Sequence, residues 1–135
     1  MTRLVGPVYV AHPYSAPAVE RRRINLRHAA LLSTAANHLG AATVSPLQEQ
    51  IGRDSVFTDA GWRAHGLVLL RVCKAIVLPG NFLVSRGCCD ECAEAIRLGL
   101  PVFYADLAIA SIEGEARWII EPAFADWVES ERAAA

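Results

Sequence analysis

Ala75-Ile76-Val77-Leu78, closed by Pro79-Gly80-Asn81, is the stretch whose reading decides the fold. An apolar run without polar alternation suits a strand covered on both faces, as in a parallel sheet. The Pro-Gly-Asn that follows is a loop signal. Upstream, Val8-Tyr9-Val10-Ala11 reads as a strand ending in His12-Pro13, and Ala42-Thr43-Val44-Ser45 as another, closed by Pro46. Downstream, Pro101-Val102-Phe103-Tyr104 reads as a fourth. Longer helical segments separate them. Ser15 and Pro17 are expected to cap and open a long first helix. Its apolar stripe would be Ile24, Leu31, Leu32, Ala35 and Leu39, and Gly40 would stop it. Residues 47–57 read as an irregular loop. A second helix is expected from Thr58 or Asp59 to about Val72, and a third from about Gly87 to Leu98, stopped by Gly99. Pro122 suits the first turn of a last helix carrying Phe124, Trp127 and Val128, with fraying terminal alanines. Strands alternating with helices predict one α/β domain over residues 1–135, a parallel sheet wrapped by helices.

Composition narrows the function classes. The chain is 53% hydrophobic and 20% charged over 135 residues, which fits a folded domain and not a disordered one. A formal net charge of −1 gives no electrostatic basis for binding nucleic acid. The opening Met1-Thr2-Arg3-Leu4-Val5-Gly6-Pro7 lacks a signal-peptide core, and nothing approaches the ~20 apolar residues of a membrane span. A cytoplasmic protein without membrane attachment is expected. Cys73, Cys88, Cys89 and Cys92 are poorly spaced for a disulfide framework. Paired zinc knuckles are absent, and Cys88 and Cys92 would share a helix face as small hydrophobes, so packing is expected over metal.

Open parallel sheets bind ligands beyond the carboxyl ends of their strands. That rule nominates His12 to Ser15 (with Tyr14 between them), Ser45 to Gln48, and Pro79 to Glu91, the last containing Asn81, Ser85, Arg86 and Gly87. Ser85-Arg86-Gly87 leads into a helix N-terminus, where free N–H groups and the dipole favour an anion. Ser85 adds a hydroxyl, and Gly87 permits close approach to the backbone. Glu91 lies about one turn further on. The same residues also read as a loop former followed by acids that complement the helix dipole.

Three pieces in order and spacing carry a resemblance: Val8-Tyr9-Val10-Ala11-His12-Pro13-Tyr14-Ser15, Val44-Ser45-Pro46, and Leu78-Pro79-Gly80 with Ser85-Arg86-Gly87-Cys88-Cys89-Asp90-Glu91 and Ala95. Together they resemble the nucleoside 2-deoxyribosyltransferase-like superfamily, particularly its short bacterial and phage branch, over about residues 5–105. The resemblance implies a flavodoxin-like, doubly wound sheet of four or five strands, assembled as a homodimer or larger homo-oligomer. Right-handed crossovers then give strand order 2-1-3-4, with a fifth edge strand after residue 110 and a crevice above strands one and three. The resemblance also implies that Glu91 attacks the anomeric carbon and forms a glycosyl ester, with Tyr9 holding the carboxylate. Read without the resemblance, Tyr9 is equally a core tyrosine with a satisfied hydroxyl.

Two positions, Ser85 and Arg86, help narrow the substrate. Family members acting on free nucleosides carry Asp where this chain has Ser85; the nucleoside 5′-monophosphate N-glycosidases carry Ser. A carboxylate repels a phosphate, whereas a hydroxyl at a helix N-terminus donates to it. Arg86 would add charge. Arg21, Arg22 and Arg23 read as a solvated face with at most one reaching a phosphate. The expected activity is hydrolysis of the N-glycosidic bond of a nucleoside 5′-monophosphate, with no metal or organic cofactor. The rivals are a nucleotide sensor and, further off, base exchange between nucleosides. The chain departs from the family where an aspartate helps protonate the leaving base: alignment puts Gly66 there, and Lys74 at the second family aspartate. His65 is adjacent and is the candidate acid, histidine being a residue type that can serve as an acid near neutral pH. Neighbours on a helix point about 100° apart, however. By propensity alone, Gly66→Asp should restore the acid at no cost to the helix.

Overall fold

The computed structural model describes residues 3–14, 18–47, 56–109 and 116–134. Five strands form one sheet in the order β2-β1-β3-β4-β5. They are β1 (Val5–Val10), β2 (Ala41–Val44), β3 (Ala75–Pro79), β4 (Val102–Ile109) and β5 (Ala116–Ile120). All neighbours run parallel except β4 and β5, which pair antiparallel. The expected order of the first four strands is observed, with the fifth on the edge. Helices α1 (Val19–His38), α2 (Asp59–Leu70), α3 (Arg86–Arg97) and α4 (Pro122–Ala134) complete the described elements, with a short 3-10 turn at Phe82–Val84.

The apolar run of β3 is buried throughout, and its side chains divide between two cores. Ala75 and Val77 join Val8 and Val10 of β1 against Leu32 and Ala36 of α1 and Phe124 and Val128 of α4. Ile76 and Leu78 join Tyr9 and Ala11 against Leu70 of α2 and Cys88, Cys92 and Ala95 of α3. Strand alternation thus sends neighbouring residues to opposite clusters. Each fully buried large aliphatic contributes roughly 1.5–3 kcal/mol. Cys73, Cys88 and Cys92 are buried free thiols packed in the second cluster.

Several boundaries move from their expected places. β1 begins at Val5, so Pro7 falls inside a central strand; a register shift in the β1–β2 pairing between Val5 and Val8 accommodates a residue without an N–H. Helix α1 starts at Val19 with Ala18 as its N-cap, and Ala18 supplies no side-chain bond. Ser15 and Pro17, the expected cap and first-turn residue, lie outside the described residues. The buried face of α1 is Asn25, Ala29, Leu32, Ser33 and Ala36, while Leu39 is exposed. The alanines bring the helix backbone close to the sheet, and the larger Leu31 packs only at the margin. Gly40 (φ +102°) and Gly99 (φ +73°) do end their helices, in the left-handed region that glycine tolerates. β4 runs on past Tyr104 to Ile109, and α4 runs to Ala134, with Ala135 outside the described residues. Among the described residues no helix is long and apolar enough to cross a membrane.

Candidate active site

The chain leaves β1 toward β2 on one side, while β3 lies on the other, so the connections diverge above this pair. A cleft of about 630 Å³ opens there. Its residues come from the carboxyl ends of β1 and β3, the first turns of α2 and α3, and facing positions on α1, β4 and β5.

Ser85 is the N-cap of α3, and its hydroxyl oxygen accepts from the Cys88 N–H at 3.2 Å. That bond uses an acceptor lone pair and leaves the hydroxyl proton to point elsewhere. The N–H groups of Arg86 and Gly87 open the helix and have no intrahelical acceptor. Among the described residues a methyl on Gly87 would meet only Ser85 Oγ, at 3.9 Å, so none of them fills the space over this backbone. Ser85, Arg86, Gly87 and the preceding Asn81 all line the cleft.

One turn into α3, Glu91 is partly buried and faces the fully buried Tyr9. Burial pushes the Glu91 carboxyl up to about 7, the Tyr9 hydroxyl opposes the rise, and Asp90 adds to it. Burial and then the Glu91 charge raise Tyr9, which therefore stays protonated. The two groups stand close enough to shift one another, and among the described residues the Tyr9 hydroxyl has no other hydrogen-bond partner.

Helix α2 packs above this pair. Its Gly66 is buried, and a methyl placed there would lie 2.6 Å from the Tyr9 hydroxyl oxygen and 3.7 Å from Glu91 Oε2. The tyrosine hydroxyl therefore fills the space a side chain at 66 would need. Gly66→Asp, acceptable by helix propensity, is opposed by this contact. His65, the candidate acid, does not line the cleft. It packs in an aromatic group with Phe57 (centroids 5.8 Å apart) and Trp62 (5.6 Å). The turn of about 100° between neighbours puts the two side chains in different surroundings.

His12 and Tyr14, after β1, line the cleft as expected; Ser15 lies outside the described residues. His12 Nδ1 is 2.8 Å from the Pro13 carbonyl. A carbonyl only accepts, so Nδ1 carries the proton. Burial, reinforced by His28 and Arg21 and opposed by that bond, pushes His12 down to about 4. The ring is neutral near pH 7, with Nε2 as an acceptor. His12, His28 and Trp118 meet edge to face, with centroids 5.7–6.4 Å apart, and the Trp118 indole donates to the His28 carbonyl at 2.9 Å.

Sequence reasoning missed His28, Asn25, Asp106 and Trp118 in the cleft wall. Asn25 left a trace, a polar residue on the buried helix face, where it donates to the Tyr14 carbonyl at 3.1 Å. Trp118 and Asp106 had none, because no motif covers the strand pair that carries them. Of the arginine cluster, Arg21 reaches the cleft, while the exposed Arg23 pairs with Glu20 at 3.9 Å. Among the described residues, no group of three or more His, Cys, Asp or Glu could hold a metal ion. Compared with protein-family models the chain finds no match, and no curated protein matches it.

Proposed function

We propose that this chain hydrolyses the N-glycosidic bond of a nucleoside 5′-monophosphate, as a member of the nucleoside 2-deoxyribosyltransferase-like superfamily with a flavodoxin-like, doubly wound fold. One observation carries the reading: the buried Tyr9 hydroxyl set against the Glu91 carboxyl, in the same cleft as the Ser85-capped start of α3. The phosphate sits at Ser85 and the backbone of Arg86 and Gly87, with Arg86 adding charge. That places the sugar toward Glu91. The carboxylate attacks the anomeric carbon, the base leaves, and water cleaves the resulting ester with overall retention. Tyr9 stays protonated throughout and orients the carboxylate by donating to it. His65 has no part in this mechanism.

A nucleotide sensor is the second reading, and the closed space at Gly66 favours it, because an ordinary base leaves slowly without a proton donor. Incubation with a panel of nucleoside 5′-monophosphates, scored for free base and for thermal stabilisation, separates the two. Base release abolished by Glu91→Gln supports the enzyme; stabilisation without release supports the sensor. A 2-fluoro sugar substrate should leave a covalent adduct on Glu91, visible as a mass shift on its peptide.

A further inference from the structure

Among the described residues, none beside Gly66 supplies an acid facing Glu91, and the chemistry of the leaving group then decides the substrate. A neutral nucleobase develops negative charge as it departs and must be protonated. At residue 66 a side chain is opposed, since even a methyl would lie 2.6 Å from the hydroxyl of a tyrosine that is itself fully buried. Beside Gly66 the described wall of the cleft is Pro46, Trp62, Leu67 and the Tyr9 hydroxyl, whose proton burial and the Glu91 charge hold in place, and His65 packs against Phe57 and Trp62 rather than lining the cleft.

The remaining charges are of both signs. Asp59, Asp90 and Asp106 line the cleft as exposed carboxyl groups, and Arg21, Arg63 and Arg86 line it as exposed guanidinium groups. A ligand with a phosphate at one end and a cationic ring at the other matches such a mixture better than a simple anion does. Aromatic faces also attract cationic rings, and Trp62 and Trp118 both line the cleft.

Resting on the N-glycosidase reading above, we propose that the preferred substrate is a nucleoside 5′-monophosphate whose base is already cationic at the glycosidic nitrogen, an N-ribosyl pyridinium. The step then balances without an acid. The Glu91 carboxylate bonds to the anomeric carbon, the electron pair of the carbon–nitrogen bond returns to the ring, and a neutral pyridine departs without taking a proton. Water next cleaves the ester: its hydroxyl goes to the anomeric carbon, its proton passes to solvent, and Glu91 returns as the carboxylate.

The test compares nicotinamide mononucleotide with its dihydro form and with the common purine and pyrimidine monophosphates, reading base release by chromatography. The dihydro form has the same sugar and phosphate but a ring that cannot leave as a neutral pyridine. Nicotinamide mononucleotide should be cleaved at least about 10²-fold faster than any neutral-base nucleotide, the lower end of what general-acid help supplies. The dihydro form should compete for binding without being cleaved. Release from neutral-base nucleotides at comparable or higher rates, abolished by Glu91→Gln, overturns this substrate class and leaves the N-glycosidase standing. Release from none of them, or release that survives Glu91→Gln, overturns both.

Discussion

On the proposed reading Glu91 must be charged to attack, yet its surroundings favour the neutral acid. Its pKa in the folded chain, about 7, lies above the ordinary value of 4.5, so the neutral form stabilises the fold. That stabilisation is complete below pH 4.5 and is lost as pH rises through 7. Glu91→Gln should therefore raise stability at pH 8 by about 1–3 kcal/mol, a gain that shrinks toward nothing below pH 4.5. Denaturant unfolding at the two pH values checks this; equal effects at both would contradict the assigned shift. On the proposed reading the hydrolytic rate should rise with pH to a plateau above 7, as the carboxylate forms. Tyr9 and Gly66 form a matched pair at the same scale. Gly66→Ala should destabilise by about 1–3 kcal/mol through overpacking against the hydroxyl. In a Tyr9→Phe background, which removes the clashing atom, most of that loss should disappear, and additive losses in the double mutant would reject the pairing.

Among the elements, α3 gives the clearest test of the proposed phosphate site, because its cap and its proposed ligand role can be separated. Ser85→Ala removes the bond to Cys88 N–H and should cost about 1 kcal/mol. Ser85→Asp keeps a good cap but sets a carboxylate against the phosphate. It should spare stability, weaken nucleotide binding and leave nucleoside binding little changed, as calorimetry would show. The start of α3 was legible because serine before a helical pattern has one strong local meaning. Strand β3 was legible for a similar reason, an apolar run too short for a helix. The register of α1 was not. Its large apolar residues suggested one stripe, whereas close packing chose the smaller Ala29 and Ala36, with Asn25 on the same face. Side-chain size reports hydrophobicity, but not how near a backbone must come.

At the scale of the whole chain, topology brings the two halves of the candidate site together: Tyr9 follows from β1, Glu91 from the helix after β3, and the two strands pair with Tyr9 opposite Ile76. Strand order and the meeting of Tyr9 with Glu91 were readable from motifs spaced along the sequence. The wall of Trp118 and Asp106 was not, since it depends on how the antiparallel strand β5 returns against α1, a contact set by packing. That return has an optical consequence. Of the chain's 3 tryptophans, Trp62 and Trp118 line the cleft, while Trp127 stacks on Phe124 against Phe103. Intrinsic emission should therefore act as a built-in titration signal, with Trp127 as a constant background. A bound pyridinium ring, an electron acceptor in the excited state, should quench the two cleft indoles, and Trp62→Phe and Trp118→Phe should each remove part of the quench. A signal that resides wholly in Trp127 would place the ligand elsewhere.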